Sequence, residues 1–319
     1  MKIAVIKGGI SAEREVSLVT GGEVAKALRA EGFDVTEIDA TGPIPLMNAL
    51  QALKPDVVFN ALHGDWGEDG EVQGLLDMLG FPYTHSGARA SALAMNKDDA
   101  KRELAAHSIK VAQGKVVARE TVAMGGVMAV PYVVKPNGSG SSSSVYLVHE
   151  ETPELLAKIG KDRGLGDEPV VERYVPGREL TVAVMDSKAM EVTEIVPKGW
   201  YSYEEKYGED AAEHVLPADI PAEIRAVCLD YAERAHVALG CSGLTRTDFR
   251  YDDTVDNENL SNLANAVVTL ELNTQPGMTP TSLAPEQAAY CGLSFRELCR
   301  WIVEDALCRH RESSKGSAP

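Results

Sequence analysis

The chain has 319 residues, with 31 Lys and Arg against 48 Asp and Glu and a formal net charge of −17. That length carries two or three domains with a core each, and that charge repels nucleic acid at long range, so any phosphate site must be built locally from chosen cations and backbone amides. The five cysteines (Cys228, Cys241, Cys291, Cys299 and Cys308) are odd in number and include no Cys-x-x-Cys, which indicates neither a disulfide framework nor zinc and points to reduced thiols in a cytoplasm.

The first nine residues place only four apolar ones between charges, too few for a signal peptide, and no later stretch has membrane-spanning length. A soluble protein with no membrane partner is expected. Residues 3–6 read as a strand, 16–29 as a helix closed by Gly32, 35–38 as a second strand and 56–60, after another helix, as a third. This alternation makes an open parallel α/β domain over residues 1–91, whose functional loops belong at the carboxyl ends of its strands. Loop 7–15 holds Gly8, Gly9, Ser11 and Glu13. A helix N-terminus there favours an anion through a dipole worth roughly half a charge, while Glu13 suits an ammonium group or a helix cap. Loop 61–70 packs His63, three glycines, three acids and a Trp without the spacing of a calcium loop. It reads as a tight loop shaping a pocket, with His63 either structural or in contact with substrate.

A second unit, residues 92–177, opens with a helix over 98–106 and continues through strands near 115–118 and 132–135. Lys135 is followed by Pro136-Asn137-Gly138-Ser139-Gly140-Ser141-Ser142-Ser143-Ser144 and a strand-like 145–148. A Walker A loop needs its lysine after the glycines, and a Rossmann turn needs a helix next, so order and context exclude both. What remains is a hairpin tip: a flap whose N–H groups and hydroxyls fold over phosphates with Lys135 at its root, or a plain flexible linker. Residues 170–180 read as strand, turn and strand. Such a connection between two sheets suits a flat heterocycle, with Glu179 taking ribose hydroxyls, although an ordinary domain connection looks the same.

The third unit, residues 178–309, has strands over 180–185 and 191–195, an aromatic and acidic loop over 200–213 and a helix over 222–239. Two alternating runs follow, Leu244-Thr245-Arg246-Thr247-Asp248-Phe249 and Leu270-Glu271-Leu272-Asn273. On strands, Arg246 and Asp248 share one face, as do Glu271 and Asn273. Paired across the polar stretch 252–265, the strands gather two carboxylates, an amide oxygen and a guanidinium. That is a hard-oxygen cation site of the kind magnesium takes beside nucleotide phosphates, with a solvated polar face as the plain alternative. Residues 310–319 show no apolar pattern and are expected to form a disordered tail.

In this order these residues resemble the D-alanine:D-alanine ligases of bacterial cell-wall synthesis, within the ATP-grasp superfamily, from about Ile3 to Leu307. The motifs that carry the resemblance are Gly8-Gly9 with residues 11–17, Leu62-His63-Gly64 with residues 67–70, residues 95–97, Lys135-Pro136, Arg246 with Asp248, and residues 271–279 with Ser282-Leu283. It implies an α/β ATP-grasp fold of three domains, with ATP between the central and C-terminal ones. It further implies that Lys97 and Lys135 bind phosphate under a flap containing Gly140 and Ser142, with Lys206 also at the nucleotide. Glu172, Arg173, Val175 and Glu179 would contact adenine and ribose, and Asp248, Glu271 and Asn273 would ligate two magnesium ions, with manganese able to substitute. Glu13 would hold the ammonium of the first D-alanine, and Ser282 and Leu283 the carboxylate of the second. Arg246 and the backbone of Gly277 would stabilise the tetrahedral oxyanion, while Ser141 and Tyr207 would meet Glu13 in a closing hydrogen-bond network. The implied reaction forms D-alanyl-D-alanine through an acyl phosphate for peptidoglycan precursors, in a homodimeric enzyme.

The chain departs from the family in its serine-rich flap, in Lys7 before the double glycine, and in the length of 252–265. The rivals are a D-lactate or D-serine acceptor, another ATP-grasp carboxylate–amine ligation, and a silent nucleotide-binding module. Tyr207 favours an amine acceptor, Glu13 with Ser282-Leu283 disfavours a more distant ligation, and the complete set of metal ligands and phosphate lysines disfavours a silent module.

Overall fold

The computed structural model describes residues 1–139, 144–196, 212–255 and 264–316, with side chains through residue 312. The first sheet has β1 (Lys2–Lys7) between β2 (Asp34–Asp39) and β3 (Val57–Asn60), all parallel, with Ile3 opposite both Val35 and Val57. The central strand is apolar on both sides, as a sheet covered on two faces requires. One face packs on Leu46 and Leu50 of α2 (Pro43–Leu53) and on Val72 and Leu76 of α3 (Glu71–Leu79). The other face takes Val24 and Leu28 of α1 (Arg14–Ala30) together with Leu298, Ile302 and Val303 from the far end of the chain. The loops after β1 and β3 therefore emerge side by side, as parallel order dictates.

Two short helices follow, α4 (Ala88–Met95) and α5 (Lys97–Ala106). Asn96 caps α5 by accepting from the Asp99 N–H at 3.1 Å, and Asp98 and Asp99 complement the dipole of its first turn. A four-stranded antiparallel sheet comes next, formed by β4 (Gly114–Val116), β5 (Tyr132–Lys135), β6 (Tyr146–Val148) and β7 (Val170–Arg173) in the order β4-β7-β5-β6. Its core joins Tyr132, Val134 and Val148 to Val122 of α6 (Arg119–Val122) and Ile159 of α7 (Pro153–Lys161). Tyr132 lies opposite Val148, so the loop after Lys135 is the tip of an antiparallel hairpin, as its Gly/Ser composition suggests.

The third sheet runs β10-β9-β8-β11-β12 and is antiparallel throughout. Its strands are β8 (Arg178–Met185), β9 (Lys188–Val196), β10 (Glu213–Val215), β11 (Leu244–Tyr251) and β12 (Val267–Asn273). Cys228, Tyr231 and Ala235 of α8 (Ala222–Ala238) cover it, and Ala94 of α4 with Ala100 and Leu104 of α5 enter the same core. Sequence order attaches α4 and α5 to the central sheet, but packing attaches them to the C-terminal one. Lys97, at the start of α5, is thereby carried to Glu271 of β12.

After β12 come α9 (Leu283–Tyr290) and α10 (Phe295–Gly316). Of the tail expected over residues 310–319, residues 310–316 continue α10, and residues 317–319 lie outside the described residues. No proline interrupts the segment, and each residue added to an existing helix gains a hydrogen bond without a new nucleation cost. An apolar pattern is needed to dock a helix and is not needed to extend one. Among the described residues no helix is long and apolar enough to cross a membrane, and all five cysteines are free.

Candidate active site

β11 and β12 pair as the alternating runs suggest: Asp248 lies opposite Glu271, and Arg246 opposite Asn273. Register shifts between Asp248 and Phe249, leaving Leu270 as an extra residue. Such a bulge bends and twists a strand and recurs beside active sites. Arg246 holds Asp248 bidentately, Nε to Oδ1 at 2.8 Å and Nη2 to Oδ2 at 2.7 Å. From β8, the Thr181 hydroxyl donates to Asp248 Oδ1 at 2.6 Å. Asn273 Oδ1 accepts the Gln275 N–H at 2.8 Å, which fixes the amide with its oxygen as the acceptor. Among the described residues no three His, Cys, Asp or Glu side chains are grouped to hold a metal on their own. Asp248, Glu271 and Asn273 could together offer two carboxylates and one amide oxygen, the kind of incomplete oxygen set that magnesium completes with phosphate and water.

Three lysines line the same region. Lys97 Nζ donates to the Ser139 carbonyl at 2.7 Å and stands 3.6 Å from Glu271 Oε2. Lys135 Nζ lies 3.2 Å from Glu172 Oε2, and Lys101 meets the other oxygen of the same carboxylate. Burial holds the Lys135 ammonium down to about 8, aided by the charge of Lys97 and opposed by Glu271 and Asp248. Asn137 stations the root of the flap. Its carbonyl accepts from Lys97 N–H at 2.9 Å and its Oδ1 from Asp98 N–H at 3.0 Å, so it caps α5 from outside.

At the connection between the second and third sheets, Arg250 organises the proposed nucleotide-edge residues. It donates to the Val175 carbonyl at 3.2 Å, pairs with Glu179 at 3.6 Å and lies over the Tyr174 ring. Arg173 is the exposed last residue of β7.

The loops after β1 and β3 meet as parallel topology requires. Ser11 Oγ donates to the His63 carbonyl at 2.6 Å, and Ser17 Oγ accepts from Gly8 N–H and donates to the Ala61 carbonyl. Glu13 occupies the N-cap position of α1 but its side chain makes no capping hydrogen bond. Gly64, at φ +69°, lets the two loops touch: a Cβ there would stand 2.7 Å from Glu13 Oε2. His63 is buried, with Nε2 3.0 Å from Thr20 Oγ1 and Nδ1 2.9 Å from Glu68 Oε1. Both ring nitrogens face protein partners, which favours an orienting role for His63 over direct substrate contact. Gln275, just past the end of β12, then ties this corner to the third sheet, because its side-chain amide donates to the Leu62 carbonyl.

Beyond Gln275 the chain turns into α9. Thr279 N–H donates to Ser282 Oγ at 3.1 Å, and a Cβ on Gly277 would stand 3.1 Å from the same oxygen. Ser282 is the N-cap of α9 and Leu283 its first residue, a place where backbone amides and dipole favour a carboxylate. Gly140, Ser141, Ser142, Lys206 and Tyr207 lie outside the described residues. Sequence reasoning missed Lys101, Thr181, Arg250 and Gln275. Lys101 follows Lys97 by four, Thr181 is a polar residue inside the apolar run Leu180 to Val184, Arg250 continues the alternation of Arg246 and Asp248, and Gln275 that of Glu271 and Asn273, so each left a weak signal.

A family model described as D-ala D-ala ligase C-terminus matches residues 105–304, and one described as D-ala D-ala ligase N-terminus matches residues 43–86. The chain is 53% identical over 310 residues to a D-alanine–D-alanine ligase of a Ruegeria species, and 54% identical over 309 residues to that of Ruegeria pomeroyi, covering 96% of both chains in each case. Among solved structures it is similar to the D-alanine–D-alanine ligase of Bacillus anthracis complexed with ATP, at TM-score 0.81 and 28% identity over 98% of this chain and 99% of that one. The ligase of Coxiella burnetii aligns at TM-score 0.80 and 27% identity over 99% of this chain and 96% of that one. With two sheets facing one set of lysines and carboxylates, and with both halves matched, the chain belongs to the D-alanine–D-alanine ligase family and has its ATP-grasp fold.

Proposed function

We propose that the protein joins two molecules of D-alanine into D-alanyl-D-alanine, cleaving ATP to ADP and phosphate, as a magnesium-dependent cytoplasmic enzyme supplying peptidoglycan precursors and working as a homodimer. The observation that carries this reading is the convergence on one cleft of the opposed Asp248 and Glu271, the lysines Lys97 and Lys135, and the Glu13 loop tied in through Gln275. A carboxylate is a poor electrophile, so the first D-alanine is activated by taking the γ-phosphoryl group onto a carboxylate oxygen. The amine of the second then attacks the acyl carbon, and phosphate leaves with that oxygen.

Each residue's part follows from its surroundings. Glu13 receives the first ammonium beside the His63 loop, which Thr20 and Glu68 keep rigid. Lys97 and Lys135 neutralise phosphate, with the Glu172, Val175 and Glu179 region as the seat of the adenosine. Asp248, Glu271 and Asn273 would hold magnesium, two ions by resemblance, which when bound neutralises phosphate charge and aligns the transferred group. Arg246 gives up an Asp248 oxygen when that oxygen takes a cation, and its N–H groups, with the Gly277 amide, become donors to the oxyanion. Ser282 and the first turn of α9 receive the second carboxylate. The amine acceptor is favoured over D-lactate because both Ruegeria relatives carry the D-alanine–D-alanine ligase name.

Phosphate release with Mg-ATP and D-alanine, coupled to mass analysis of the product, tests the reading. One phosphate per D-alanyl-D-alanine, and neither with L-alanine, is expected; phosphate without dipeptide would overturn it. Lys135 gives a second check. Protonated below about 8, it attracts phosphate there and loses that attraction as pH rises through that value. Nucleotide affinity should therefore fall between pH 7 and 9 in the wild type. Lys135→Ala should weaken it about 10- to 100-fold at pH 7, the worth of a charged hydrogen bond, and flatten the pH dependence. Unchanged affinity in the variant would contradict the role.

A further inference from the structure

Glu172 is 3% exposed, and two lysines share it. Lys101 meets Oε1 and Lys135 stands 3.2 Å from Oε2, each of them 8% exposed. Lys101 lies four residues after Lys97 on α5, so one helix face delivers both ammonium groups to the cleft. The opposite wall is cut away to admit the carboxylate. Gly114 pairs with Glu172 across β4 and β7, and a Cβ there would stand 2.8 Å from Glu172 Cγ. Burial, and then the charge of Lys135, push the Lys101 ammonium well below its ordinary value. A lysine in so unfavourable a place needs a carboxylate beside it, and no step of the ligation uses it.

The charge count explains the arrangement. Before nucleotide arrives, two ammonium groups face one carboxylate. When Lys135 turns to phosphate, a Glu172 without Lys101 would be a buried, uncompensated charge, which proteins avoid strongly. It would hold Lys135 back and compete with the triphosphate. We propose that Lys101 is a positioning residue of the nucleotide site: it stays on Glu172 as counter-charge while Lys135 is released to the phosphate. This rests on the assignment of Lys135 and Glu172 to the nucleotide.

The test is the affinity of the full-length enzyme for Mg-ATP in wild type, Lys101→Met, Glu172→Gln and the double variant, with the KM for D-alanine read in parallel. Lys101→Met should weaken ATP binding about tenfold or more while the same substitution on the Glu172→Gln background changes it by no more than about twofold, the signature of two coupled sites. The KM for D-alanine should move little in all of them. Equal losses on both backgrounds, or no loss in Lys101→Met, would overturn the proposal. Lys101→Gln, which keeps a donor to Glu172, provides the same comparison where Lys101→Met does not fold, and wild-type ATP affinity in it would overturn the proposal too. Lys135→Ala binding ATP as tightly as wild type would instead remove the underlying nucleotide assignment.

Discussion

Glu271→Gln should lower turnover by at least about 10³-fold at every magnesium concentration, because metal-borne charge stabilisation is worth several kcal/mol in the transition state. The substitution keeps volume and one oxygen but removes the charge that faces Asp248 across the strand pair. No added magnesium restores a missing ligand in a set of two carboxylates and one amide. Lys97 loses a neighbour at 3.6 Å but keeps its hydrogen bond to the Ser139 carbonyl, so the cleft should hold its shape and the melting temperature should change little. Asp248→Asn should behave alike, with a larger stability loss, because that carboxylate is bound bidentately by Arg246 and by Thr181. Near-normal rates in either variant would remove the metal assignment.

Arg246→Ala should lower kcat by about 10² to 10³, the usual loss of one oxyanion donor, with a smaller change in the KM for ATP. The side chain lies on the same strand face as Asp248, two residues away, and across from Asn273. It therefore stands among the side chains proposed to hold the metal and the phosphate. Arg246→Lys keeps a charge but loses the planar fork that grips two oxygens at once, so its rate should fall between those of alanine and wild type. A kcat within about threefold of wild type for the alanine variant, outside the range expected of an oxyanion donor, would place oxyanion stabilisation elsewhere.

Much of the site was legible because strands and parallel α/β loops leave local marks. A period of two showed that Arg246 and Asp248, and Glu271 and Asn273, face the same way, and pairing β11 with β12 then set them opposite each other. The first domain's loops were placed by the rule that such sheets work at their carboxyl ends. What escaped lies in contacts with no local signature. Gln275 reaches Leu62 across 213 positions, Lys101 meets Glu172 across 71, and the bulge at Leu270 is an irregularity that alternation conceals. Packing also overrode sequence order. α5 joins the C-terminal sheet, and Leu298, Ile302 and Val303 of α10 close the back of the N-terminal sheet. Where geometry alone left a role open, the proposal leans on family resemblance, as for Glu13, whose side chain makes no capping hydrogen bond and is proposed to hold an ammonium group.

The phosphate-release reaction run on D-alanine carrying oxygen-18 in its carboxylate follows the activated oxygen itself. Transfer through an acyl phosphate puts one labelled oxygen into each phosphate released and leaves one in the peptide carbonyl of D-alanyl-D-alanine. Unlabelled phosphate, or label in AMP, would contradict activation by the γ-phosphoryl group and with it the roles of Lys135, Glu271 and Arg246.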